Sequence, residues 1–468
     1  MTATSSTPAA QATPFEASYD LVVVGAGACG MVAALAASDA GKSVLVLEKL
    51  DKPGGNSTLS TGSVPGANTR FQREVGIDDS PARMVEDLLR TSGPHDAEDL
   101  VTLMAESSAE IIEWLVDSHN IGLYLITDYK HVGHSVPRLH APAARNGANL
   151  TADLQRACER ADVKIMTRTT VVGLLEAAGV VNGVTAELPS GLKQDLHAGA
   201  VLLASNGFGA NRDLLERWIP EMVGTVYHGA PGSTGEGIVW AERLGAGLAN
   251  VSAYQAYAAV ATDAGDILSW TTVELGAVVV SPDGQRLGDE SVGYSAFAEV
   301  IANETPVSYT IMDQRIYDYV ARNEPRFVKI ITLGCVQEAA DVTALASYIG
   351  CEVGILAATL KAAADAATGT CPDAFGRADF GPASLSAPYF VCKSHPAIFH
   401  TQGGVTVDRH ARVRRAGGAL IDGLYAGGGV AAGISGQSGA DGYASGNGLS
   451  TAVGLGYAAG RHVGSRSR

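Results

Sequence analysis

The short apolar run Tyr19–Val24 leads straight into Gly25-Ala26-Gly27-Ala28-Cys29-Gly30, and this junction restricts the fold more than any other part of the chain. A Val-rich run of this length, bounded by glycine, predicts a buried parallel strand. In the G-x-G-x-x-G turn, Gly25 permits the tight bend and Gly27 lets the backbone approach a pyrophosphate. Gly30 lets the next helix pack close to the strand. That helix is expected over Met31–Ala40, with Gly41 as its C-cap. A second strand, Ser43–Leu47, delivers Glu48, which lies 23 residues after Gly25 (48 − 25), where an acid meets ribose hydroxyls. Together these elements predict a Rossmann-like α/β dinucleotide site. The fingerprint alone leaves NAD and FAD both open.

The chain has 468 residues, enough for two or three domains. Its net charge of −16 argues against nucleic acid and against an anionic membrane surface as partners. It does not exclude an anionic substrate, because one local cationic site can act within an acidic protein. The six cysteines, at 29, 158, 335, 351, 371 and 392, form no CxxC pair and read as reduced, mostly buried thiols of a cytoplasmic protein. Residues 1–17 are rich in Ser, Thr, Ala and Pro and read as a loose tail, not a signal peptide. No apolar stretch reaches membrane-spanning length free of glycine or charge, so no membrane span is expected.

Further along, Lys49 to Ser63 reads KLDKPGGNSTLSTGS. Its Gly54-Gly55-Asn56-Ser57 resembles the flavin-facing loop of the fumarate reductase and succinate dehydrogenase flavoprotein superfamily. Members that attach FAD covalently use a His in this stretch, and none occurs here, so the resemblance implies FAD held without a covalent bond. Thr170-Val171-Val172 resembles the strand whose backbone meets the adenine. Ala204-Ser205-Asn206-Gly207-Phe208 is similar to the turn that closes this half of the FAD site, and Gly232-Ser233-Thr234-Gly235-Glu236-Gly237 to the "TGDG" turn before a helix. Gly423-Leu424-Tyr425-Ala426-Gly427-Gly428 is similar to the "GLYAAGE" strand-turn. Asn447-Gly448-Leu449-Ser450 opens a final helix whose N-terminus would stabilise charge at the pyrimidine end of the flavin. The order of motifs is the family's order over nearly the whole chain. It implies a Rossmann-like FAD-binding domain (GR2-type) in two segments, 18–253 and 386–468. An α+β cap domain, 254–385, is inserted between them, with a helix over Val353–Ala367. The active site is expected between cap and flavin.

Departures from the family pattern bear on the reaction. Where family members read roughly "QFHP", this chain has Gln255-Ala256-Tyr257-Ala258, so Tyr257 stands for a carboxylate-binding His. Gly284-Gln285-Arg286-Leu287-Gly288-Asp289-Glu290 is followed by Tyr294, without the proton-donating Arg of the family. Gly442-Tyr443-Ala444-Ser445-Gly446-Asn447-Gly448 has Tyr443 in place of the Arg that clamps a carboxylate. His400-Thr401-Gln402-Gly403-Gly404 keeps the "HTMGG" segment. An Arg binds carboxylates bidentately, whereas a Tyr hydroxyl suits a neutral carbonyl or exchanges a proton. The pattern resembles the 3-ketosteroid Δ1-dehydrogenase branch. It implies desaturation of a ketone, a small ring ketone and not a steroid, with Tyr294 as base, its pKa lowered or its proton relayed to another Tyr, and Tyr443 as carbonyl donor beside the N–H of Gly446 or Asn447. Tyr124, Tyr129 and Tyr257 are relay candidates, and His400 is a candidate ligand or flavin contact. The alternative is reduction of an α,β-unsaturated acid or enone, with Arg138 and His400 holding a carboxylate. The segment His131–His140 lacks helical i, i+4 His spacing and a carboxylate partner, and it reads as flavin-loop structure and not as a metal cluster. The electron acceptor is left among oxygen, a quinone and an electron-transfer protein.

Overall fold

The computed structural model describes residues 18–127, 131–440 and 442–466. Its first sheet is built on the strand Leu21–Val24, which is wholly buried. The strand order is Arg412–Arg414, Leu420–Ala426, Val201–Leu203, Leu21–Val24, Val44–Leu47, Lys164–Met166. All neighbours are parallel except the first pair. Continuous Val and Leu runs suit strands covered on both faces. The helix Ala28–Ser38 starts inside the glycine motif, with Gly27 as N-cap, and ends before Asp39. It is therefore three residues earlier at its start than expected from apolar periodicity, because the tight turn at Gly25 (φ +108°) lets the helix begin at once. A Cβ on Gly25 would lie 2.5 Å from the Ala204 carbonyl oxygen, and one on Gly30 would lie 2.0 Å from the Gly25 carbonyl oxygen. Both positions exclude any side chain.

A second sheet is antiparallel at its centre. The strand Tyr389–Thr401 pairs with Ser252–Ala261, Ser308–Asp313 and Val336–Ala339, and Ser308–Asp313 pairs with Val278–Val280. The expected boundary after residue 385 groups Tyr389–Thr401 with the dinucleotide-binding segment, but its hydrogen bonds put it in this sheet. The strand runs from one body to the other. Its start is hydrogen-bonded within 308–339, and its end carries Phe399, His400 and Thr401 to the wall of the main cavity. The helix expected over Val353–Ala367 is present with those bounds. Among the described residues, no single helix is long and apolar enough to cross a membrane.

The parallel strands all end on one side. Gly25, Glu48, Ala204 and Gly428, each following such a strand, line one cavity there. Ligands of open α/β sheets bind outside the carboxyl ends of the strands. The fold thus places the cavity where the glycine fingerprint points.

Candidate active site

The cavity has a volume of about 580 Å³. At its dinucleotide end, Glu48 Oε2 accepts the Ala26 N–H at 2.9 Å and Glu48 Oε1 accepts the Leu50 N–H at 2.9 Å. Besides any ribose contact, the carboxylate therefore holds the fingerprint turn in shape. Ser57 Oγ accepts the Ala28 N–H at 3.2 Å. Lys49 Nζ donates to Thr234 Oγ1 at 2.7 Å and to Glu236 Oε1 at 2.8 Å. Gly27, Ala28, Gly54, Gly55, Asn56, Val171 and Asn206 also line the cavity. Gly30, Gly207, Asn447 and Ser450 do not. Gly207 lies behind the wall, where a Cβ would come 2.0 Å from Thr401 Oγ1. Asn447 Nδ2 donates to Ser435 Oγ at 3.0 Å, and Ser450 is buried.

This end fits FAD. Helices starting at Ala28, Gly55 and Asn447 have no side-chain cap, and residues of their first turns line the same cavity. Uncapped helix N-termini offer free N–H groups to anionic ligand groups. Ser205 Oγ, Glu236 Oε2 and Gln402 Nε2 are buried without a protein partner, and all three residues line the cavity. Buried polar atoms of this kind call for a ligand or water. Glu48→Gln would turn an amide N–H against one of the two backbone N–H groups. We expect FAD to bind about 10- to 100-fold more weakly, from a loss of about 1.5–3 kcal/mol. Titration of apoprotein with FAD, followed by flavin fluorescence, checks this.

At the other end the fold gathers aromatic side chains. The rings of Tyr294 and Tyr443 meet edge to face with centroids 5.9 Å apart, and Tyr257 stacks on Tyr294 at 4.8 Å. Burial pushes the Tyr443 phenol up, against hydrogen-bonding influences from Tyr294, Ser445, the Gly446 N–H and Gln255 that pull it down. Tyr294 is pushed well up by burial first, then by Tyr443. Both are neutral phenols at pH 7. This corrects the expectation of a lowered pKa at Tyr294, because the cavity wall desolvates the phenolate and supplies no cation to hold it.

Tyr257 is also corrected as a relay. Its hydroxyl donates to the Leu268 carbonyl at 3.0 Å and accepts the Trp270 N–H at 3.0 Å, so its one proton is committed and only its ring serves the cavity. Tyr124 is 61% exposed and lies outside the cavity wall. Tyr129 lies outside the described residues.

His400 Nε2 lies 2.6 Å from Gln255 Oε1, its cross-strand neighbour, and donates to it. Burial lowers His400 to about 4, so it is neutral and offers no positive charge to a carboxylate. The helix at Asn447 reaches it closely, since a Cβ on Gly448 would lie 3.2 Å from His400 Cε1.

Arg138 is corrected most strongly. It is fully buried. Its Nε and Nη2 donate to the two Asp79 oxygens at 2.7 Å each, and its Nη1 donates to Asp87 Oδ2 at 2.6 Å. It does not line the cavity, so it cannot take a substrate carboxylate. Its role is indirect. His134 Nε2 donates to the Ser445 carbonyl at 2.8 Å, and His134 Nδ1 faces Arg138 Nη1 at 3.4 Å. A carbonyl only accepts and a guanidinium only donates, so His134 is the neutral Nε2–H tautomer. It braces the loop that carries Tyr443 and Gly446.

Gln255 and His134 lie in segments that the sequence marks, but it assigns neither of them a place in the site. The pairs Gln255–His400 and His134–Ser445 are 145 and 311 residues apart, and nothing local marks them. In the same segment His140 lies 3.0 Å from Thr69 Oγ1.

His140 is fully buried and is lowered by burial to about 4. An unfolded His titrates near 6.5. Below that pH the unfolded chain binds a proton that the folded chain refuses. Stability is complete above about pH 6.5 and falls as pH drops toward about 4, by about 3 kcal/mol for His140 alone. Urea unfolding at a series of pH values checks the slope, and His140→Gln should flatten it.

The family described as "FAD binding domain" matches residues 20–451. Among curated proteins, a urocanate reductase of Eggerthella lenta is 31% identical over 87% of this chain and 69% of its own length. An NADH:fumarate oxidoreductase of Klebsiella pneumoniae is 29% identical over 90% of this chain, and the chain spans only 45% of that longer protein. Among solved structures, the open conformation of a flavocytochrome c3 fumarate reductase superimposes with a TM-score of 0.83. It is 28% identical and covers 96% of this chain and 78% of its own. A 3-ketosteroid-Δ4-(5α)-dehydrogenase from Rhodococcus jostii RHA1, in complex with 4-androstene-3,17-dione, superimposes with a TM-score of 0.76 at 25% identity. The match covers 98% of this chain and 99% of that one.

Proposed function

Because the chain belongs to the FAD-binding domain family and is an FAD-dependent oxidoreductase of carbon–carbon bonds, we propose that it interconverts a ketone, best a small cyclic one, with its α,β-unsaturated enone. The observation that carries this reading is the pairing of two neutral phenols, Tyr294 and Tyr443, at one end of the cavity. Among the described cavity-lining residues the one guanidinium is that of Arg326, and it is exposed. Glu274 adds negative influence at Tyr294, which disfavours a carboxylate there.

FAD, when bound, supplies hydride exchange with the carbon β to the carbonyl. The side chains do the rest. Tyr443 and the Gly446 N–H hold the ketone oxygen and stabilise the charge that grows on it. Tyr294 exchanges the α proton. Desaturation requires Tyr294 to give up its own proton first, so its rate should climb as pH rises above neutral. Enone reduction uses Tyr294 as it rests, and this favours the reductive direction as a second reading. Reduction of a dicarboxylate is disfavoured, since Arg138 is locked by Asp79 and Asp87 and His400 is neutral. FAD is held without a covalent bond, and denaturation should release it. The electron acceptor can be oxygen, a quinone or an electron-transfer protein.

The test is anaerobic. Cyclic ketones and saturated acids are offered to the oxidised enzyme, and enones, fumarate and urocanate to the dye-reduced enzyme. Bleaching by a ketone, or reoxidation by an enone, supports the reading. Rapid reoxidation by fumarate or urocanate with none by any enone would overturn it.

A further inference from the structure

Apart from the dinucleotide end and the tyrosine pair, the cavity wall includes a cation. The helix Pro325–Thr332 buries Phe327 and Ile330, which leaves Arg326 in its first turn at the opening, where it lines the cavity beside Asp266 and His228. Asp266 is ion-paired with Lys329 of the same helix, which donates to it at 2.8 Å, and Arg326 acts on it only as a more distant charge. Glu324 makes no ion pair with Arg326. Among the described residues, Arg326 is the cavity-lining cation without a carboxylate partner, since Lys49 is held by Glu236.

Between this cation and the tyrosine pair runs a wall of rings. His228 stacks on Phe399 at 5.3 Å, Phe399 on Tyr257 at 5.6 Å with only 9° between planes, and Tyr257 on Tyr294 at 4.8 Å. All of these line the cavity. Such a wall suits a flat apolar body lying along it.

We propose that Arg326 is an anion subsite, and that the substrate is a ketone or enone bearing a carboxylate or similar anionic group at the end remote from the reacting carbons. This rests on the ketone reading above and extends it. A guanidinium pairs with a carboxylate bidentately, and in a protein of net charge −16 an unpaired cation at the opening also gives an anionic substrate a local point of attraction.

The probes are ring ketones carrying a carboxylate on straight chains of graded length, each with its neutral methyl ester. Binding to the holoenzyme is read from the shift in flavin absorbance, which needs no turnover, and kinetics are read separately. One chain length should bind more tightly as the acid than as the ester, and less so at high salt. Arg326→Gln should weaken that acid by about five- to tenfold, on the scale of a partly exposed charge pair. The ester should be unchanged and kcat preserved. Arg326→Lys should restore part of the preference. Equal binding of acid and ester at every length, or equal loss of both in Arg326→Gln, would overturn the subsite. Charge-dependent binding without turnover of any ketone or enone would keep the subsite and overturn the ketone reading instead.

Discussion

Tyr443→Phe should lower kcat by about two to three powers of ten while FAD binding survives. The substitution removes one hydroxyl and little volume, so the ring keeps its contact with Tyr294, 5.9 Å away between centroids. On the proposed ketone reading, what is lost is the hydroxyl that would hold the developing oxyanion, in a site where burial already makes charge costly. Tyr294→Phe should lower proton exchange by about two to four powers of ten. The two variants separate by isotope. With substrate deuterated at the α carbon, the wild type should show slowed flavin reduction. Tyr294→Phe should lose exchange of the α proton with solvent, whereas Tyr443→Phe should keep it at a reduced rate. If both variants reduce their flavin as fast as the wild type, the two tyrosines are packing residues and the ketone assignment loses its main support.

How much of this was legible in the chain divides along physical lines. Local patterns read well. The fingerprint from Gly25 to Glu48 works through backbone shape, and shape is written in neighbouring residues. The positions where the resemblance sets Tyr294 against a proton-donating Arg and Tyr443 against a carboxylate-clamping Arg could be aligned, and the fold brings both tyrosines to one cavity. Ionisation could not be read. A lowered pKa was one of two expectations at Tyr294, the other being a proton relay, but its pKa is raised by desolvation and by Tyr443, neither of which a sequence displays. Nor could the fate of Arg138. An Arg in a His-rich loop resembles a ligand, and only the tertiary fold reveals Asp79 and Asp87 around it, 59 and 51 residues away. Gln255 faces His400 through strand register, and a one-residue slip would have placed it on the other face.

Arg138→Leu should destabilise the protein by about 3–5 kcal/mol, because two buried carboxylates lose their shared cation. Asp79 and Asp87 are almost wholly buried as side chains. Burial by itself would raise Asp87, and its bonds to Ser135, Arg138 and Arg90 instead hold it well below the ordinary carboxylate range. Without the guanidinium, Asp87 keeps Ser135 and Arg90, but the two buried carboxylates have lost the cation they share. Adding Asp79→Asn to Arg138→Leu should then recover part of the lost stability, measured by urea unfolding. The catalytic consequence travels one bond further. His134 would lose the neighbour that fixes its tautomer, and the Ser445 carbonyl would lose a steady donor. Tyr443 and the Gly446 N–H ride on that loop, so kcat should fall in the folded variant while binding of a neutral ketone changes little. A substrate-binding Arg would behave in the opposite way, raising KM with stability intact. That outcome would show that Arg138 leaves its two aspartates to meet the ligand, and it would return the unsaturated-acid reading to first place.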